Sequence, residues 1–144
     1  MDNVEILMVE DDKDAAELIV RALRKVNCAN NLLHLIDGAE ALDFIFARGE
    51  FVNRKGLNIP KVILLDIKMP KVDGIEVLRQ LKSNKSTRKI PVVIMTSSTE
   101  EREIIKSYDL GANSFVVKPV EFVNFSKAIA ELGLFWLLTN QGPG

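Results

Sequence analysis

Five short aliphatic runs, at residues 4–9, 32–36, 62–65, 92–95 and 114–117, alternate with stretches whose apolar residues recur every three or four positions. Strands alternating with amphipathic helices predict βαβ units and a parallel sheet. The runs are almost unbroken Val, Ile and Leu, which is how strands buried on both faces read. Between them, residues 15–26 align Ala16, Ile19, Val20 and Leu23 on one side, and residues 39–47 align Ala41, Leu42, Ile45 and Phe46. Residues 74–81 offer Ile75, Val77, Leu78 and Leu81 behind Asp73, a residue suited to cap the helix start. A more polar helix is expected over 100–110, with Gly111 as the left-handed residue that ends it. A last helix over about 121–132 carries Phe122, Phe125, Ile129 and Leu132 as its core stripe. The fold class is therefore α/β: a doubly wound, five-stranded parallel sheet with helices on both faces.

Two segments depart from this rhythm. Residues 48–60 insert thirteen mostly polar positions where a helix-to-strand loop usually takes about 2–6; a solvated excursion and a functional loop both fit. Leu134, Phe135, Trp136, Leu137 and Leu138 are apolar all round a helix axis and need cover on every side, from the same chain or from a second copy. Length and composition change the picture little. The chain has 144 residues, 47% hydrophobic and 27% charged, which suits one globular domain over 1–144, with 48–60 as an inserted loop and 133–144 as a C-terminal extension. A net charge of −1 gives no broad field for nucleic acid. The apolar runs are too short for a membrane span, and the single Cys28 suits a reducing compartment, so a cytoplasmic location is expected.

Sheets of this kind do their chemistry beyond the carboxyl ends of the strands, where the strand order reverses. The first run ends in Glu10, Asp11 and Asp12, the third in Asp66, the fourth in Thr96, Ser97 and Ser98, and the fifth in Lys118 and Pro119. Asp37, after the second, reads as a helix cap. Four acids in one crevice repel one another unless a cation intervenes, and an all-oxygen set favours Mg²⁺ over zinc or iron. A metal, a carboxylate, a lysine and a hydroxyl are the parts of phosphoryl transfer. Asp66 stands alone at the end of the central strand and is the candidate nucleophile. Thr96 and Lys118 can each hold a phosphoryl oxygen, and His34, in a strand of alternating polarity, reads as a packed residue.

VEDD at 9–12, LLDIKMPKVDG at 64–74, PVVIMTS at 91–97 and SFVVKP at 114–119 together resemble the receiver domain of two-component response regulators. The resemblance covers about 120 residues and implies the flavodoxin-like strand order 2-1-3-4-5. It implies that Asp66 accepts a phosphoryl group from a phosphohistidine on a sensor histidine kinase. Asp11 would bind Mg²⁺ directly, Glu10 through water, and Lys68 through its backbone carbonyl. Thr96 and Phe115 match the switch hydroxyl and switch aromatic, Lys118 the phosphate-contacting lysine, and the Lys118–Pro119 peptide is expected to be cis. Glu10 stands where aspartate is frequent, and the side chain of Lys68 lies beside the path of a hydrolysing water. The insertion and the tail are similar to those of single-domain regulators of the cyanobacterial phytochrome type, which implies a phytochrome-like kinase as donor and a homodimer formed through the C-terminal region. Competing classes are an unphosphorylated scaffold of the same fold, a Mg²⁺-dependent aspartyl phosphatase, whose Asp-x-Asp pattern fails at Lys68, and a flavin protein, for which no phosphate-cradling loop is evident.

Overall fold

Successive residues of a strand point to opposite faces of a sheet, and here both faces are dry. In the computed structural model, which describes residues 4–27, 31–54, 59–69, 71–96, 111–112 and 114–133, the strands are β1 (Ile6–Val9), β2 (Leu32–Leu35), β3 (Val62–Asp66), β4 (Val92–Thr96) and β5 (Ser114–Val117). All pair in parallel, in the order β2-β1-β3-β4-β5. The helices among the described residues are α1 (Lys13–Lys25), α2 (Gly38–Ile45), α3 (Gly74–Ser83) and α4 (Phe122–Glu131).

Ile6, Met8, Leu64, Val93, Met95 and Val116 form one half of the core with Ile19 and Leu23 of α1 and Phe125 and Ile129 of α4. Leu7, Val9, Ile63, Leu65, Val92 and Ile94 form the other half with Leu42 and Phe44 of α2 and Leu78 and Leu81 of α3. Every one of these side chains is buried, and each burial contributes roughly 1.5–3 kcal/mol against chain entropy. The unbroken aliphatic runs are therefore two interleaved sets of alternating residues. The edge strand β2 is only partly covered.

Three of the four described helices start on a capping aspartate. Asp73 accepts from the Glu76 amide at 3.0 Å and Asp37 from the Glu40 amide at 2.8 Å. Asp12 accepts from the amides of Asp14 and Ala15. Boundaries moved by one or two residues: β1 begins at Ile6, not at Val4, and α3 runs on to Ser83, two residues beyond the expected end. Gly111 has a φ of +79°, as its left-handed role requires. The helix expected over 100–110, Cys28, Ser97, Ser98 and the apolar tail from Leu134 onward lie outside the described residues.

The insertion is anchored where it leaves α2. Phe51, in a single 3-10 turn (Gly49–Phe51), meets the buried Phe44 ring edge-on with centroids 5.3 Å apart. The Arg54 guanidinium lies 4.0 Å from the same ring and donates to the Phe44 carbonyl at 2.9 Å. Residues 48–54 thus run over the surface, with Phe51 and Arg54 pinned to Phe44 and Arg48, Gly49, Glu50, Val52 and Asn53 exposed. Arginine stacking was not legible from their polarity, because an arginine counts as polar whether it lies on water or on a ring.

Candidate functional site

The register of the sheet builds the crevice. Val9 pairs with Leu65, and Leu65 with Ile94, so Glu10 and Asp66 leave adjacent strands at the same level. Thr96 pairs with Val117, and the Lys118 amide donates to the Thr96 carbonyl at 2.8 Å, which brings Lys118 to that level from the other side. The order reverses between β1 and β3, so this is the switch point at which such sheets open.

The loop after Asp66 folds back beneath it. The Gly74 amide donates to the Ile67 carbonyl at 2.8 Å. A Cβ at Gly74 would come within 2.3 Å of the Asp66 carbonyl oxygen and 2.8 Å of the Ile67 Cα. Glycine is therefore required there by close approach of two backbones. Lys71, in the same loop, adopts a φ of +67° and sets its ammonium 3.6 Å from the buried carboxylate of Asp37.

Glu10, Asp11 and Asp66 come together, each offering a carboxylate oxygen within 4.8 Å of the others. Glu10 is fully buried, Asp66 nearly so, and Asp11 is exposed. The Lys118 ammonium lies 3.0 Å from Glu10 Oε1 and 3.4 Å from Asp66 Oδ1. It donates to Glu10 Oε2 at 3.2 Å, which also accepts from the Asp12 amide at 3.1 Å. Burial, then the charge of Glu10, push the Asp66 carboxyl up to about 7, with Lys118 opposing. Burial pulls Lys118 down, but its hydrogen bond to Glu10 and the charges of Asp66 and Glu10 outweigh that and hold it above the ordinary lysine value.

Three carboxylates against one ammonium leave excess negative charge. Glu10 Oε1 is buried and, among the described residues, accepts no hydrogen bond; Lys118 stands near it as an ion-pair partner without hydrogen-bond geometry. An all-oxygen cluster with surplus charge and an under-satisfied buried oxygen fits a hard divalent cation. Asp12, grouped with the other acids in sequence, is instead spent on capping α1. Thr96 is buried at the end of β4, and Phe115 is half-buried, packed on the α2–α3 half of the core. The Lys118–Pro119 peptide is cis, as the resemblance implied.

His34 is not packed. It is exposed on β2, and its Nε2 donates to the Glu10 carbonyl at 2.7 Å. That carbonyl lies just beyond the last pairing of β1 with β2, so a side chain replaces the next backbone donor. Alternation alone could not reveal this, because on an edge strand both parities reach water.

The sequence matches the response regulator receiver domain over residues 6–130. The chain belongs to the response regulator receiver family. Response regulator Rcp1 of Synechocystis sp. is 37% identical over 138 residues, spanning 96% of this receiver and 92% of Rcp1. Among solved structures, the bacteriophytochrome response regulator RtBRR superposes with a TM-score of 0.86 at 51% identity, covering 93% of this receiver and 80% of RtBRR. The phosphorylated cyanobacterial phytochrome response regulator RcpA gives 0.75 at 34% identity over 99% of each chain. Rcp1 itself has been solved in a Mn(2+)-bound form, with a TM-score of 0.74 at 36% identity, covering 93% of this receiver and 94% of that chain. The five-stranded parallel receiver fold and its order were thus correctly anticipated. No helix of the described residues is long and apolar enough to cross a membrane.

Proposed function

We propose that this receiver takes a phosphoryl group onto Asp66 from the phosphohistidine of a phytochrome-like sensor histidine kinase, and signals by changing its surface for protein partners. The observation that carries the reading is the meeting of Asp66, Glu10, Asp11 and Lys118 at the one crevice where the strand order reverses. An Asp66 carboxylate oxygen attacks phosphorus; the new O–P bond forms as the P–N bond to the donor imidazole breaks, and the leaving imidazole takes up a proton. Lys118 is within reach of Asp66 to neutralise one phosphoryl oxygen, and Thr96 would donate its hydroxyl to another. Asp11, Asp66 and the Lys68 backbone carbonyl would hold Mg²⁺, with Glu10 acting through water. The ion, when bound, neutralises charge on the phosphoryl oxygens.

The receiver is a signalling phospho-acceptor, not an enzyme acting on an outside substrate. Incubated with the phosphorylated core of a phytochrome-type histidine kinase and Mg²⁺, it is expected to strip the labelled phosphate from the kinase, while Asp66→Asn leaves it there. Label that stays on the kinase with both proteins would overturn the donor assignment. Lys68, exposed two residues after the acceptor, is proposed to screen the acyl phosphate. Lys68→Ala should shorten its lifetime several-fold, and an unchanged decay rate would remove that role.

Charge added at Asp66 biases two conformations. Thr96 would move toward the phosphoryl group and Phe115 would rotate into the space released, reshaping the face formed by the helix expected over 100–110, β5 and α4. A homodimer through the C-terminal region is proposed because residues 134–138 are apolar all round. In sedimentation, the parent should run as a dimer and Trp136→Glu as a monomer; identical species would discard the interface. Charge balance and the short apolar runs favour a cytoplasmic protein that binds neither nucleic acid nor membrane, and 1–144 is proposed to act as one receiver unit.

A further inference from the structure

The turn from α3 to β4, at the end of the sheet opposite the acidic crevice, is basic. Between Glu76 and Glu100 the sequence has five basic residues, Arg79, Lys82, Lys85, Arg88 and Lys89, and no acidic one. A net charge of −1 conceals this local imbalance. Lys82 is used internally: its ammonium donates to the Arg88 and Ile90 carbonyls at 3.1 Å each, closing the turn from α3 to β4. The other four are exposed.

The insertion brings a further cation to this end. The chain leaves α2 through two left-handed residues, Ala47 at φ 53° and Gly49 at φ 55°. A Cβ at Gly49 would sit 2.7 Å from Asp43 Oδ2, and the Arg48 amide between them donates to the Asp43 carbonyl at 2.8 Å. This fixed reversal sets the Arg48 guanidinium 5.3 Å from the Phe46 ring centroid. Phe51 and Arg54 are themselves clamped on Phe44. Among the described residues no carboxylate pairs with Arg48, whereas Arg79 is paired with Glu76 on its own helix.

Between the ends of α2 and α3 lies an open cleft of about 340 Å³, lined by Phe46, Arg48, Arg79, Gln80, Ser83 and Asn84. It combines two guanidinium groups, one aromatic ring and three hydrogen-bonding side chains. We propose that this cleft is a second docking site, which takes an acidic segment of a partner protein. One carboxylate of the segment pairs with Arg48, a second competes with Glu76 for Arg79, and an apolar side chain lies against Phe46. Arginine and aromatic residues in one concavity are what protein interfaces enrich. Lys85, Arg88 and Lys89 do not line the cleft, so a nucleic acid backbone following the cations would lie outside it. The helices run back against the strands, so this site is at the far end of the domain from Asp66. A partner held here leaves the crevice open to the phosphoryl donor.

The test is a titration of the isotope-labelled full chain, followed by amide chemical shifts, with a synthetic glutamate-rich peptide carrying one central leucine. Shifts are expected at Phe46, Arg48, Gln80, Ser83 and Asn84, and not around Asp66. The doubly substituted Arg48→Glu, Arg79→Glu chain should bind at least about tenfold more weakly, while acetyl phosphate still labels Asp66 in full. If that chain does not fold, Arg48→Gln with Arg79→Gln is read in its place and should also weaken binding. Shifts confined to other surfaces, equal affinity in the folded variants, or tighter binding of an oligothymidylate at the same amides would each overturn the proposal.

Discussion

Lys118→Met is expected to destabilise the fold by about 3–5 kcal/mol when no divalent cation is present. The lysine is the only cation that the described residues bring to both Glu10 and Asp66, at 3.0 and 3.4 Å. Methionine fills similar volume, so the loss is electrostatic: without a countercharge Glu10 and Asp66 repel each other as anions, or Asp66 must take up a proton to relieve that repulsion. Removing one partner of a buried pair is costly because the survivor stays desolvated. Denaturant titration in a chelator gives the change directly. Adding Asp66→Asn to the variant should recover part of the loss, since the two sites are in contact and their effects do not add. A Lys118→Met chain as stable as its parent would mean that the crevice carries no net repulsion.

The second large effect is on pH dependence. The Asp66 carboxyl lies near 7 in the folded chain against an ordinary 3.8, raised first by burial and then by Glu10. A raised carboxyl favours the protonated fold, so this contribution to stability is fully present below about pH 4 and is lost as pH climbs through about 7. The full shift would correspond to about 4 kcal/mol, and the crevice's remaining contact with water reduces that to about 1–2 kcal/mol. In a chelator, the parent should therefore lose stability between about pH 5 and about pH 8 relative to Asp66→Asn, which keeps the shape without the charge. At the upper end Asp66→Asn should melt higher, by several degrees. Excess Mg²⁺ should narrow the gap, and narrow it more at the alkaline end, because it binds the ionised fold and not the unfolded chain. Parallel pH profiles for the two chains would contradict a strained Asp66.

How much of this could be read from the residues follows from which signals are local. Strands such as 62–65 were legible because burial on both faces forces an unbroken aliphatic run, and the capping by Asp73 because it is decided within three residues. The acids of the crevice were legible as a group, since they sit at the ends of aliphatic runs or just after them. The family resemblance singled out Asp11, but the role of Asp12 was not legible: the two are neighbours of one type, and only the backbone geometry at the start of α1 decides that Asp12 caps and Asp11 faces the crevice. His34 and Arg54 act across the chain, on the Glu10 carbonyl and the Phe44 ring. Neither periodicity nor composition carries such contacts. The cleft beside Arg48 depends on two left-handed residues, one of them Ala47, that no turn signature announces.

The central claim is that Asp66 is held among like charges, ready to take a phosphoryl group once a divalent cation joins them. Intact mass measured after treatment with acetyl phosphate tests it most directly, on the parent and on Asp66→Asn, each with Mg²⁺ and with a chelator. A gain of one phosphoryl group is expected on the parent with Mg²⁺ and none in the other three samples. A parent that stays unmodified, or an Asp66→Asn chain that gains the same mass, would contradict it.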